Sequence, residues 1–225
     1  MTLVLLHPLP LDGSIWDNEL RALGSPCVAP TLYDLGDTLE EWAGGVLDLC
    51  GSGPLVLVGN SVGGSCALEI AVRATERVQL IVLVGSKPGV RPDTASRDRA
   101  MQFVLTEGMA GAWDKYWAPL FAPGAEPGIV ERARQTALAQ SIESIARGTR
   151  VFHDRTDRAE FASRLRCPIV VVNGEHDAAG KGAQIAAGLR HGSFRLVEGS
   201  GHYVPIERPA QLTTIVEESI SGLNG

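Results

Sequence analysis

Four short runs of Leu, Val and Ile constrain this chain more than any other feature. They occupy residues 3–6, 55–58, 80–84 and 169–172, and Gly or Pro bounds each of the last three. Apolar runs this short, with no polar alternation, fit strands buried on both faces, the condition of a parallel sheet covered by helices. Residues 28–32 are a weaker strand candidate, and 194–197 supply a last one. Helical patterns lie between the runs, at 39–49, 64–74, 182–189 and 210–220. In the second of these, Cys66, Ala67, Ile70 and Ala71 share one face at the helical spacing. Strand and helix in alternation predict an α/β fold, a mostly parallel sheet with helices on both faces. At 225 residues and 44% apolar content, one domain with a substantial core is expected.

One stretch breaks the alternation. Between Ser86 and Arg166 no strand pattern appears, and Pro88, Pro92, Pro119, Pro123 and Pro127 punctuate helical patterns, the clearest at 129–146. Trp113, Tyr116, Trp117, Phe121 and Phe152 also fall here, a large share of a chain that is only 5% aromatic. The expected organisation is a core of residues 1–87 and 167–225 carrying a helical cap insertion over 88–166. Trp113, Trp117, Phe121 and, from a later loop, Tyr203 are the candidates to line a substrate pocket. The plainer alternative is a helical insertion that only packs on the sheet.

Charge and cysteine content exclude other classes. The net charge is −6 and no Lys/Arg run stands out, so neither nucleic acid nor an anionic membrane is an expected partner. The apolar start lacks a basic flank and is cut short by Pro8 and Pro10, which predicts neither a signal peptide nor a membrane span. Cys27, Cys50, Cys66 and Cys167 form no C-x-x-C pair, as expected of reduced thiols in a cytoplasmic protein. A small molecule is the expected partner, and nothing in the sequence excludes a homo-oligomer.

The chemical signal begins at Gly59-Asn60-Ser61-Val62-Gly63, directly after the run 55–58 and directly before a helical pattern. In that context G-x-S-x-G marks a turn so tight that the serine backbone is strained and its oxygen projects above the strand ends. Small residues two before and two after the serine avoid clashes, and the Val62 N–H at the helix start faces a developing oxyanion. A serine hydroxyl needs a base, and the base needs an orienting group. His202 lies in a loop between the last strand and the last helix, and Asp177 comes shortly after the run 169–172. Both belong at carboxyl ends of strands, where open α/β sheets place their sites. Taken singly, His202 reads as a surface loop residue and Asp177 as a helix N-cap. Together, in the order Ser, Asp, His, they read as a catalytic set.

With these residues in view, the sequence resembles the α/β-hydrolase fold superfamily over nearly its whole length. The resemblance rests on residues 3–7, Gly59 to Gly64, Gly174-Glu175-His176-Asp177, and Gly201-His202 followed by Pro205 and Pro209. It implies that Ser61 is the nucleophile, His202 the general base and then acid, and Asp177 the orienting carboxylate. It also implies a second oxyanion donor after a His-Gly pair, here His7-Pro8-Leu9, so the N–H of Leu9 takes that place and Trp16 matches a tryptophan frequent in the same loop. Three departures stand out. Pro8 replaces the usual glycine, residues 30–36 replace the usual acidic glycine-rich loop, and the chain starts on the strand that is normally third. The last predicts a sheet of about six strands without the leading β-hairpin.

Rival assignments fail on spacing. Gly59, Gly63 and Gly64 do not make G-x-G-x-x-G, no lysine follows Gly64 as a P-loop needs, and no H-E-x-x-H or Cys/His cluster suggests a metal. Tyr33, Tyr116 and Tyr203 are followed four residues later by Asp37, Leu120 and Glu207, so Tyr-x-x-x-Lys is missing. A dehalogenase or epoxide hydrolase on the resembled fold would carry Asp where Ser61 stands. The expectation is a serine hydrolase of esters, thioesters or lactones that uses no cofactor and no metal. C–C bond hydrolysis, acyl transfer, lyase chemistry and non-catalytic binding of a small molecule remain open. Arg97, Arg99, Arg150 and Arg155 are candidates for a substrate carboxylate, with surface solvation the favoured role for each.

Overall fold

A computed structural model describes every residue except 25, 90–92, 179–180 and 225, so Pro92 lies outside the described residues. Among the described residues, six strands form one sheet: β1 (Thr2–Leu6), β2 (Cys27–Val28), β3 (Leu55–Asn60), β4 (Val78–Val84), β5 (Ile169–Gly174) and β6 (Gly192–Val197). Their order is β2-β1-β3-β4-β5-β6, and every pair is parallel. All six residues of β3 and all six of β5 are buried, so both faces of the sheet centre are covered, as continuous apolar runs require. The edges differ. β2 has two residues, and β6 is largely open to solvent. Short or polar edges limit unwanted strand pairing.

Ten helices among the described residues surround the sheet: α1 (Asp17–Leu23), α2 (Leu39–Leu49), α3 (Val62–Arg73), α4 (Thr94–Ala112), α5 (Pro127–Ala139), α6 (Ile142–Asp154), α7 (Ala159–Arg164), α8 (Gly182–Ala187), α9 (Val204–Glu207) and α10 (Pro209–Ser221). α2 starts on a capping box: the Thr38 hydroxyl accepts from the Glu41 N–H at 3.1 Å, and the Glu41 carboxylate accepts from the Thr38 N–H at 3.2 Å. α2 packs on α3, which packs on β3, while α10 packs against α1, β4 and β6. No described helix is long and apolar enough to cross a membrane. None of the four cysteines forms a disulfide.

Two expectations need correction. Residues 28–32 do not continue as a strand: β2 ends at Val28 and the chain turns into a 3-10 turn at Leu32–Leu35. The helical pattern at 129–146 is two helices, because α5 ends at Ala139 and Ser141 caps α6 by accepting from the Ser144 N–H at 3.0 Å. Both helices bury one face, so their hydrophobic spacing runs through the break. α4 to α7 all lie between β4 and β5, and the described residues of that stretch contain no strand.

The order of the strands also places a crevice. β1 leads outward to β2, whereas β3 lies on the other side of β1. The loops after β1 and β3 therefore diverge, which opens a cleft at the carboxyl ends of these strands.

Candidate active site

Ser61 sits at the junction of β3 and α3 with φ +55° and ψ −118°, and it is the only described non-glycine residue with positive φ. That conformation is costly for a residue with a side chain, so the surroundings must enforce it. They do. The Ser61 N–H bonds the Val84 carbonyl at 2.9 Å, and the Gly64 N–H bonds back to the Ser61 carbonyl at 3.0 Å. A Cβ on Gly59 would collide with the Gly63 backbone, and one on Gly63 with the Leu6 and His7 backbone. The two glycines therefore let the turn close against β1. Val62 is the first residue of α3, where helix geometry leaves its N–H without an intrahelical acceptor.

His202 Nδ1 lies 3.0 Å from Asp177 Oδ2, and both side chains are buried. A carboxylate acceptor assigns the ring proton to Nδ1 and leaves Nε2 for the cavity. Backbone bonds join the two loops: the Glu175 N–H reaches the Val197 carbonyl at 3.0 Å, and the His176 N–H reaches the Ser200 carbonyl at 2.9 Å. Asn60, beside the serine, donates through Nδ2 to the His202 carbonyl at 3.1 Å and to the Val84 carbonyl at 2.9 Å. At Gly85 (φ +52°), an added Cβ would lie 2.9 Å from both Asp177 Oδ2 and His202 Nδ1, so glycine there leaves room for the pair.

The buried Glu207 carboxylate fixes the His202 loop. It accepts from the N–H groups of Ala122 at 2.9 Å, Gly201 at 3.0 Å and Tyr203 at 3.3 Å. The His202 N–H in turn donates to the Leu120 carbonyl at 2.8 Å. The segment between β4 and β5 is thus tied directly to the loop that carries the imidazole.

The Leu9 loop is held by a different histidine. Buried His7 accepts the Leu32 N–H at Nε2 (2.8 Å) and donates from Nδ1 to the Pro8 carbonyl (3.0 Å). Burial lowers its pKa to about 4, so it is a neutral, structural imidazole. The Tyr203 hydroxyl donates to the Leu9 carbonyl at 3.2 Å. Pro8 in place of glycine is therefore compatible with a fixed loop whose Leu9 faces the cavity.

That cavity, of about 360 Å³, brings together Ser61, Asp177, His202 and Leu9. Among the described residues no hydrogen bond joins the Ser61 hydroxyl to His202. Such contacts commonly tighten only when substrate is bound. Of the four aromatic candidates, Trp117 lines the cavity. Trp113, Phe121 and Tyr203 do not. They stack behind it, with Trp113–Phe121 centroids 5.9 Å apart and Phe121–Tyr203 centroids 4.8 Å apart. Sequence spacing assigned them to the pocket because it carries no side-chain direction. Tyr116 and Phe152, noted in the same aromatic group but not chosen as candidates, form much of the wall with Leu120 and Val104, which sequence spacing passed over. Arg155 also lines the wall, against the expectation of surface solvation, whereas Arg99 and Arg150 are exposed and Arg97 pairs with Asp98 and Asp154.

A sequence profile described as the alpha/beta hydrolase family matches residues 3–214. The chain belongs to the alpha/beta hydrolase family. Within the family, it is 26% identical over 188 residues to a Bacillus subtilis (strain 168) protein named as a putative 2-succinyl-6-hydroxy-2,4-cyclohexadiene-1-carboxylate synthase. That match covers 74% of this chain and 66% of the relative, just under two thirds of its length. A thermophilic esterase from Thermogutta terrifontis superposes with a TM-score of 0.91 at 24% identity, covering 100% of this chain and 91% of that one. The enol-lactonase from Burkholderia xenovorans LB400 superposes with a TM-score of 0.85 at 22% identity, covering 98% and 91%. At these identities the structural likeness establishes the alpha/beta hydrolase fold.

Proposed function

We propose that this alpha/beta hydrolase cleaves a carboxylic ester, thioester or lactone through an acyl-enzyme on Ser61. The observation that carries the reading is the strained Ser61 backbone, held at φ +55° in the same cavity as an imidazole bonded to a buried carboxylate. Ser61 Oγ attacks the carbonyl carbon as its proton passes to His202 Nε2. The Asp177 charge stabilises the resulting imidazolium. The N–H groups of Val62 and Leu9 receive the oxyanion, each contributing roughly 3 kcal/mol in the transition state. His202 then gives its proton to the leaving oxygen or sulfur. A water, deprotonated by His202, attacks the acyl-enzyme, and collapse of the second tetrahedral intermediate returns the proton to Ser61 and releases the acid. The scheme uses no cofactor or metal. In this reading residues 88–166 act as the cap over a core of 1–87 and 167–225, and Trp117 contacts the substrate.

The test is a panel of short- and long-chain esters, thioesters and lactones assayed with wild type and Ser61→Ala. The reading expects turnover of at least one class and a loss on the order of 10⁴- to 10⁶-fold in kcat for the variant. Binding without turnover across the panel would instead identify a small-molecule-binding protein on this fold. Turnover that survives in Ser61→Ala would remove the nucleophile assignment.

A further inference from the structure

The active-site cavity holds a cation that the ester mechanism does not use. Arg155 follows α6, and its guanidinium lies 4.1 Å from the centroid of the Phe152 ring in the cavity wall. It donates through Nη1 to the Phe152 carbonyl. Among the described residues it has no carboxylate within ion-pair distance. Three other partly buried arginines do: Arg97 pairs with Asp154 at 2.7 Å, Arg147 with Asp37 at 2.7 Å and Arg158 with Glu69 at 2.6 Å. Arg77 and Arg208, partly buried and without such a pair among the described residues, bond backbone carbonyls and lie outside the cavity wall. A guanidinium offers several N–H donors in a planar fork, and one carbonyl leaves most of that fork unused.

The surroundings compound the imbalance. Lys87 lines the same cavity. Among the described residues the only carboxylate in the lining is Asp177, which His202 engages. Much of the remaining wall is apolar and aromatic, through Val104, Tyr116, Trp117, Leu120 and Phe152. A charge in such a place is costly unless a counter-ion meets it. Burial lowers the Arg155 pKa to about 10, against a smaller opposing pull from the Asp157 charge, and the group stays charged at neutral pH.

We propose that Arg155, with Lys87 in the same cavity, receives a carboxylate on the substrate remote from the carbonyl that Ser61 attacks. The preferred substrate class is then an ester, thioester or lactone that carries a second, ionised carboxyl group. This deepens the hydrolase reading and rests on it. The rival role for Arg155 is structural, a plug that caps the end of α6 through the Phe152 carbonyl and stacks on its ring.

Monomethyl and dimethyl esters of succinate, glutarate and adipate separate the two roles, assayed with wild type, Arg155→Met and Arg155→Lys. The expected result is a preference of about 10- to 100-fold in kcat/KM for the monoester of at least one acid, the range of a charge-assisted bidentate contact. Arg155→Met removes the preference by raising KM for the monoester far more than for the dimethyl ester, and Arg155→Lys keeps part of the preference. Equal rates on the two esters in wild type overturn the proposal. So does an Arg155→Met variant that slows both esters alike, which is the signature of the structural plug. Calorimetry judges the anion site without turnover. Ser61→Ala is expected to bind monomethyl glutarate at least about tenfold more tightly than dimethyl glutarate, and Ser61→Ala with Arg155→Met is not. If wild type turns over neither ester, nor any ester, thioester or lactone of the panel, but that binding difference holds, the carboxylate site stands and the hydrolase reading fails. If the binding difference is missing as well, the carboxylate site fails.

Discussion

Replacing Glu207 with Ala should be among the most damaging single changes outside the proposed catalytic residues. The carboxylate is buried and accepts from three backbone N–H groups, those of Ala122, Gly201 and Tyr203. Each buried donor left without an acceptor costs about 1–3 kcal/mol, and partial relaxation brings the total to roughly 3–5 kcal/mol. That is a large share of the 5–15 kcal/mol, roughly, that holds a typical domain folded. Glu207→Gln separates lost hydrogen bonds from lost packing. Oε1 accepts from Gly201 and Tyr203 and Oε2 from Ala122 and Gly201, so an amide nitrogen at either place points a donor at a donor. Gln should therefore cost about 1–3 kcal/mol, less than Ala but well above a surface change. Urea unfolding at 25 °C reads both values. Activity, corrected for the folded fraction, should also fall, because the same bonds fix the loop on either side of His202. If Glu207→Ala unfolds within about 1 kcal/mol of wild type, the three N–H groups find other acceptors and the reasoning is wrong.

Buried polar groups lead to three more expected outcomes. Glu19 is buried without a hydrogen-bond partner for its carboxylate among the described residues, and burial raises its pKa from 4.5 to about 7. A raised carboxyl pKa means stability that is present below pH 4.5 and lost as pH rises through 7, so Glu19→Gln should gain roughly 3 kcal/mol on wild type at pH 8 and little at pH 4. A gain that is the same at both pH values in chemical denaturation would contradict this. His7 has the opposite sign: its folded pKa of about 4 lies below 6.5, so its contribution is whole above pH 6.5 and drains as pH falls toward 4. Nitrogen-15 NMR at pH 6 should show a neutral Nδ1–H ring for His7, and a protonated ring there would refute the assignment. Asn60→Ala removes the side-chain donor to the His202 carbonyl. It should lower stability by about 1–2 kcal/mol and reduce kcat more than it raises KM, whereas a KM effect alone would mean that Asn60 does not position the imidazole.

The centre of the sheet was legible because burial on both faces demands unbroken apolar runs, and β1, β3, β4 and β5 have them. The edges were less so. β2 is two residues long, and its continuation is diverted where His7 captures the Leu32 N–H. No spacing rule relates His7 to Leu32. Ser61, Asp177 and His202 were singled out by their chain order and their places at strand carboxyl ends, and all three line one cavity. The residues that support them were not. Glu207, Asn60 and Gly85 act through contacts made by loops distant in sequence, which a one-dimensional pattern does not contain. The aromatic residues of the stretch between β4 and β5 were recognised as a group, but period alone could not separate Trp117 in the wall from Trp113 behind it. Arg155 looked like any exposed arginine until α6 placed it over Phe152.

The most direct measurement is the covalent one. Wild-type protein treated with a fluorophosphonate should gain one adduct, and peptide mass spectrometry should place it on Ser61. Ser61→Ala should remain unmodified, and His202→Ala should react far more slowly. Equal labelling of wild type and Ser61→Ala, or an adduct mapped to another residue, would contradict the catalytic assignment at its root.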